Sequence, residues 1–295
     1  MSYSEDLLNR QNSDGGWGYR GGGSWTEPTC YALLALAAGG LAGSEAARRG
    51  ALWLARCQRS DGGLAPRESV AESTWLTALA LLLPARLLAE GSLDRKRAGS
   101  WVFHQTGRES GWVNRLRLWM LGVSTQDSLT FDGWPWFTGT AAWVIPTAIS
   151  ILALEKLGRE GGGSELGGRI AQGRAFLLAR RCKDGGWNHG STKALGYDSD
   201  SYPETTGIAL LALHGSGEAE ISQALTRGEQ HLAMCQSSEA AKWLTLGLLV
   251  HGRKVAAPPL APHGTTLTTR GTTMEIALSA LADTALHGRN FFLES

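Results

Sequence analysis

The chain has 295 residues, with 28 basic against 27 acidic side chains and a net charge of +1, a balance that gives no electrostatic footprint for nucleic acid. Its longest apolar run, Ala141 to Leu154, carries Pro146 and falls short of a bilayer span, and Met1 to Asp6 has neither the basic region nor the apolar core of a secretory signal. Four cysteines in a chain that buries roughly three-quarters of its unfolded surface point to a reducing compartment rather than a disulfide framework, so a cytoplasmic protein is expected.

In chain order, a first helix ends at Arg10-Gln11 and meets the turn Asp14-Gly15-Gly16-Trp17. Trp25-Thr26-Glu27-Pro28-Thr29 then opens an apolar helix over residues 27–39. An amphipathic helix follows, with Arg48 and Arg49 ahead of Ala51 to Arg56, and ends at Cys57-Gln58. The turn Asp61-Gly62-Gly63 leads through Glu72-Ser73-Thr74 into an apolar helix over 71–89. His104-Gln105 closes the next unit. After the unrepeated stretch from Gly111 to Phe137, the turn Asp132-Gly133-Trp134 precedes Trp143-Val144-Ile145-Pro146-Thr147 and an apolar helix over 141–157. Arg181-Cys182 and Asp184-Gly185-Gly186-Trp187 come next, then a long loop to Tyr202, and Glu204-Thr205-Thr206 opens a helix over 204–214. Cys235-Gln236 precedes an apolar helix over 239–250. A proline-rich loop from Ala256 to Pro262 stands where an outer helix belongs, and the last apolar helix covers 273–286.

Recurrence at intervals of several tens of residues is the mark of a repeat architecture. Glycines permit the positive φ of a reversal, and turn aspartates bond their own backbone. Helices that are apolar nearly all round are buried on every side, whereas amphipathic ones face solvent. The chain therefore reads as all-α, a single α/α-toroid domain over residues 1–295, with about six inner helices ringed by outer ones.

Gln11 with Asp14-Gly15-Gly16-Trp17 resembles the glutamine–tryptophan repeat of the squalene-hopene and oxidosqualene cyclases. Cys57-Gln58 with Asp61-Gly62-Gly63, and Cys182 with Asp184-Gly185-Gly186-Trp187, are degenerate copies. Protein prenyltransferase β-subunits share that toroid, so the chain is similar to a single-barrel member of this superfamily. The resemblance implies a hydrophobic, isoprenoid ligand in a central cavity and acid-initiated cyclisation. The family's protonating aspartate lies in Asp-x-Asp-Asp before an inner helix. The matching segment here is Tyr202-Pro203-Glu204-Thr205-Thr206, where Glu204 holds the acid's position and the flanking aspartates are absent. The prenyltransferase zinc set is incomplete, so neither metal nor other cofactor is expected.

Residues that do not recur are the better functional candidates. Asp198 and Asp200, found in no other unit, are expected to assist Glu204 as proton donor. Glu27, Glu72 and Glu204 all precede inner helices, which places three carboxyls at one mouth of the ring, as ligand-facing groups or as helix caps. Trp25, Trp75, Trp143 and Tyr202 at the same starts are expected to shape an aromatic ligand pocket, whose π faces suit a carbocation. Arg115, Arg117 and Trp119 with Trp134 and Trp136 read either as a lid or rim over the cavity, where arginine beside tryptophan binds an anionic or planar group, or as simple packing. Asp14, Asp61, Asp132 and Asp184 read as turn residues rather than a glycosidase pair. Cys57, Cys182 and Cys235 occupy equivalent outer-helix ends around the ring and are not expected to converge with His189 on zinc. The reading from a different class is a non-catalytic scaffold that uses a toroid face for a protein partner.

Overall fold

The apolar segments of the sequence hold the inner helices, which start close to the expected residue except in the segment 71–89, where the helix begins at Leu76. The computed structural model describes residues 2–108, 131–194, 197–255 and 271–294. Its first half holds α1 (Tyr3–Asn9), α2 (Thr26–Ala38), α3 (Glu45–Arg56), α4 (Leu76–Leu81), α5 (Ala85–Glu90) and α6 (Arg95–His104). The second holds α7 (Val144–Arg159), α8 (Glu165–Ala179), α9 (Pro203–Ala212), α10 (Glu218–Met234), α11 (Ser238–Leu249) and α12 (Thr273–Leu286). Two antiparallel ribbons complete it: β1 (Trp134–Pro135) with β2 (Ala142–Trp143), and β3 (Lys193–Ala194) with β4 (Tyr197–Asp198).

The six inner helices pack in the order α2, α4, α7, α9, α11, α12, and α12 packs back on α2. Outside them, α1 lies against α12 and α2, α3 against α2, α6 against α4 and α7, α8 against α7, and α10 against α9 and α11. This is an α/α toroid. The helix expected over 71–89 is two short ones, because Pro84 lacks an N–H and its ring excludes a continuous helix there. The proline-rich loop from Ala256 to Pro262 lies outside the described residues. Among those described, no helix is long and apolar enough to cross a membrane.

The recurring turns explain how one unit is fastened to the next. Asp14 Oδ1 accepts from the Gly16 N–H and the Ser24 hydroxyl, Asp61 Oδ1 from Gly63 and Ser73, and Asp184 from Gly186 and Ser201. Gly15, Gly62 and Gly185 have φ of +99°, +97° and +93°, which the reversal requires. The indole N–H of Trp17, Trp134 and Trp187 donates to a carbonyl near the end of the preceding outer helix. The Gln11 amide bonds the Gly15 and Ala46 carbonyls, and the Gln58 amide those of Gly62 and Asp94, tying each turn to the next outer helix. These turn aspartates, glutamines and tryptophans are spent on structure.

One further bond recurs and sets the register. The N–H following each Gly turn donates to a threonine hydroxyl inside the inner helix: Trp17 to Thr29, Leu64 to Thr77, Trp134 to Thr147, Trp187 to Thr206. The inner-helix starts are in turn held by the loop of the following unit. Thr26 N–H donates to Pro66 O, Trp75 to Trp136 O and Val144 to His189 O. The same bond crosses the seam of the ring, from Thr273 N–H to Tyr19 O at 2.8 Å, with the Thr273 hydroxyl donating to Gly18 O.

Candidate functional site

All inner helices begin at one end of the ring, so their first turns line a common mouth. The threonine register identifies which residues share it. Two residues before Thr29, Thr77, Thr147 and Thr206 stand Glu27, Trp75, Ile145 and Glu204. Glu72 lies five residues before Thr77, is exposed, and precedes the first turn of α4. The three-glutamate register read from sequence is thus corrected: Trp75 holds the place assigned to Glu72. Glu72-Ser73-Thr74 shares the Glu-x-Thr spacing of the other two starts, but the threonine that receives the turn's N–H in this unit is Thr77, three residues further on.

Two more carboxyls, unnoticed in the sequence, enter at this mouth: Glu239 in the first turn of α11 and Glu275 in the first turn of α12. They follow hydroxyl residues at predicted inner-helix starts, Ser237-Ser238-Glu239 and Thr272-Thr273-Met274-Glu275, and that signal was available. Ring order then sorts the mouth into halves. Glu204, Glu239, Glu275 and Glu27 sit on the contiguous helices α9, α11, α12 and α2. The remaining arc, α4 and α7 with the β1–β2 ribbon, presents Trp75, Trp136, Trp143 and Ile145.

The carboxyl half is electrostatically coupled. Burial drives the Glu239 carboxyl up to about 7, and Glu204, Glu27 and Glu275 add to it. Burial also raises Glu27, opposed by the Tyr19 hydroxyl that donates to Glu27 Oε2 at 2.5 Å, with Glu204 raising it further. Glu204 is raised by burial and pulled back by His189. Glu275 closes a capping box with Thr272 and so has a structural use. No basic side chain forms an ion pair with Glu27, Glu204 or Glu239 among the described residues, and neither Glu27 nor Glu204 bonds a helix N–H there.

The aromatic half is built from edge contacts. Trp75 and Trp136 meet at 5.0 Å, nearly perpendicular. His189 lies between Trp143 at 6.0 Å and Tyr202 at 5.3 Å, and both of those rings are exposed. Trp25 stands at the edge of the mouth, 6.2 Å from Tyr19 and with the Arg67 guanidinium 5.1 Å over its ring.

Solvent reaches the first turn and stops there. Relative exposure is 9% at Trp75 and Ile145 and 8% at Met274, and falls to 0–1% at Leu79, Ile149, Trp243 and Leu278 one turn further in. Tyr31 and Trp243 form the floor, their rings 5.9 Å apart. Phe292, from the C-terminal segment, backs Trp243 at 5.3 Å and is fully buried. The first turns at this end of the ring are thus acidic along one arc and aromatic along the other.

The other candidates fall elsewhere. Asp198, on β4, pairs with the exposed Lys183 at 3.3 Å; Asp200 is exposed and its carbonyl accepts from Asn188. The influences on Glu204 are burial and His189 rather than these two aspartates. Arg115, Arg117 and Trp119 lie outside the described residues. Trp134 is buried, with the Arg169 guanidinium 3.3 Å above its ring and bonded to the Asp132, Gly133 and Gln105 carbonyls, a packing role. Burial pushes the Cys57 thiol up to about 11 and raises Cys182. Both are buried at separate outer-helix ends, while Cys235 ends α10.

No family model and no curated protein sequence matches the chain. Solved structures do. A GH76 alpha-mannanase from Bacteroides thetaiotaomicron is similar with a TM-score of 0.57 at 12% identity, over 96% of this chain and 94% of that one. Two structures of the type II terpene cyclase MstE from Scytonema, in complex with geranylgeranyl dihydroxybenzoate, are similar with TM-scores of 0.54 and 0.53. Their identities are 18% and 17%, and each match covers 98% of this chain and 77% or 78% of the cyclase. A mannanase and a terpene cyclase share little chemistry, so what these likenesses carry is the architecture: the chain is an α/α toroid.

Proposed function

We propose that the protein binds a hydrophobic, isoprenoid-type ligand at this mouth of the ring and isomerises it by protonation, in the manner of a terpenoid cyclase. The observation that supports this most is the division of one mouth into a carboxyl half and an aromatic half. Glu239, raised to about 7 by burial, keeps a large protonated fraction at neutral pH, as an acid catalyst requires. The tryptophan faces and the ionised carboxylates opposite favour the cation that protonation of an alkene creates. Glu239 is the proton donor in this reading, with Glu204 beside it on α9, and Trp75, Trp136 and Trp143 hold the chain of the ligand. Asp198 and Asp200 remain proposed aids to Glu204 through the loop that carries His189. A cytoplasmic setting fits four free cysteines.

The experiment is incubation with polyprenes of increasing length in D2O, with products separated by gas chromatography and mass spectrometry. Wild-type protein should give a cyclised isomer carrying one solvent deuterium, and Glu239→Gln should lower its rate at least 100-fold, the scale of lost general-acid catalysis. Unchanged turnover in Glu239→Gln removes Glu239 from the role. A wild type that neither consumes nor is thermally stabilised by any polyprene refutes the isoprenoid reading.

A further inference from the structure

The carboxyls of the mouth are not equivalent, and the difference lies in who donates to them. Glu27 accepts the Tyr19 hydroxyl at 2.5 Å, while Glu239 and Glu204 accept no hydrogen bond from a described residue. Tyr19 is held in place on three sides. Its carbonyl receives the Thr273 N–H, its ring lies against Trp25, and the adjoining Gly18 carbonyl takes the Thr273 hydroxyl. A hydrogen bond to a carboxylate favours its charged form. In a coupled set, the proton therefore goes to a member without a donor and the charge to the member with one.

We propose that Tyr19 is a positioning residue that fixes Glu27 as the ionised carboxylate of the mouth, so that Glu27 takes up the proton that ends the reaction proposed above while Glu239 supplies the one that starts it. The inference rests on that reaction. Its balance closes without any other reagent. The Glu239 carboxyl gives H⁺ to an alkene carbon, leaving a carboxylate and a carbocation. A second alkene attacks the cation, forming the C–C bond and moving the charge. The final cation loses a proton from the adjacent carbon to Glu27, the C–H electron pair becoming the new double bond. Proton transfer from Glu27 to Glu239 restores the starting state, and substrate and product are isomers.

The groups that bear on Glu27 from each side are consistent with this. Glu239 and Glu204 reach it electrostatically from α11 and α9, and Tyr31 and Cys30 lie beneath it on α2. Glu275 on α12 is engaged with Thr272. On the α4 side Arg67 lies over Trp25, and no cation is among the groups that shift Glu27. On α1 and α3, Asp6 pairs with Arg10, Glu45 with Arg48 and Arg56 with Glu68, while Glu5 bonds Ser2 and Arg49 the Asn12 and Ser13 carbonyls.

The test follows the carboxyl carbons of 13C-glutamate-labelled full chain by NMR against pH, with assignments from Glu27→Gln and Glu239→Gln. Glu27 should ionise at lower pH than Glu239, and Tyr19→Phe should raise Glu27 by about one pH unit while moving Glu239 less. In turnover, Glu27→Gln should still take up deuterium from D2O but divert the product from alkene toward a water-quenched alcohol. If Glu239 ionises first, or Tyr19→Phe leaves Glu27 unmoved, the inference is overturned while the proposed reaction stands. If wild-type protein turns over no polyprene, the reaction falls and the base role of Glu27 falls with it, whatever the NMR order.

Discussion

Carboxyls gathered on the first turns of neighbouring helices repel one another, and a protein that keeps them binds protons more tightly folded than unfolded. For Glu239, raised from 4.5 to about 7 chiefly by burial, the sign follows directly. Below pH 4.5 the group is protonated in both states. Between 4.5 and 7 the folded state holds the extra proton, so stability is lost as pH rises through this window. Glu239→Gln should flatten that loss, by about 1–2 kcal/mol between pH 4.5 and 7.5 once solvent screening of a part-exposed group is allowed for, measured as urea midpoints across pH. A variant with the same pH profile as wild type would show that the carboxyl is not so raised. At this scale the sequence was only partly legible. Glu27 and Glu204 announce themselves beside threonines in intact repeats. Glu239 and Glu275 sit in units that lack the Asp-Gly-Gly turn, so only the hydroxyl residues before them marked their helix starts. Tyr19 acts through a loop closed by a residue near the other end of the chain, and no local spacing could reveal that.

Among the elements, the inner helices were legible because an all-round apolar helix leaves an unmistakable pattern. The threonine that joins each turn to its helix was not, since a single hydroxyl in an apolar run has no periodic signature. Its energetic weight is testable. Thr29→Val keeps the shape but strips the acceptor from the buried Trp17 N–H, and should cost about 1–3 kcal/mol. Thr245→Val, whose hydroxyl donates only within its own helix to Ala241 O, should cost less than about 1 kcal/mol. Urea denaturation of both variants decides; equal losses would deny the turn bond its role. A second element-scale contact is the close approach of α9 and α11. A Cβ on Gly207 would stand 2.4 Å from the Trp243 carbonyl carbon, and backbone cannot move aside as a side chain can. Gly207→Ala should therefore destabilise by about 1–3 kcal/mol, and a variant as stable as wild type would mean the two helices are free to part.

For the whole molecule, the ring is filled from below as well as from its walls. Phe292 is fully buried behind Trp243, and Lys156 anchors the same segment through Glu294 O while also bonding Leu82 O. Phe292→Ala should cost about 3–5 kcal/mol and red-shift the tryptophan fluorescence; a smaller loss with unchanged emission would place the floor elsewhere. The closure of the ring has a temporal meaning too. The hydroxyl of Thr273 and the carbonyl of Gly18 are 255 residues apart in sequence, so their bond must await almost the entire chain, and contacts of such separation form late. Tyr19, which organises Glu27, is clamped by that same late bond. A nascent chain leaving the ribosome thus carries five inner helices before the sixth can close the ring, and the carboxyl arc of the mouth is complete only when the last helix docks on the first.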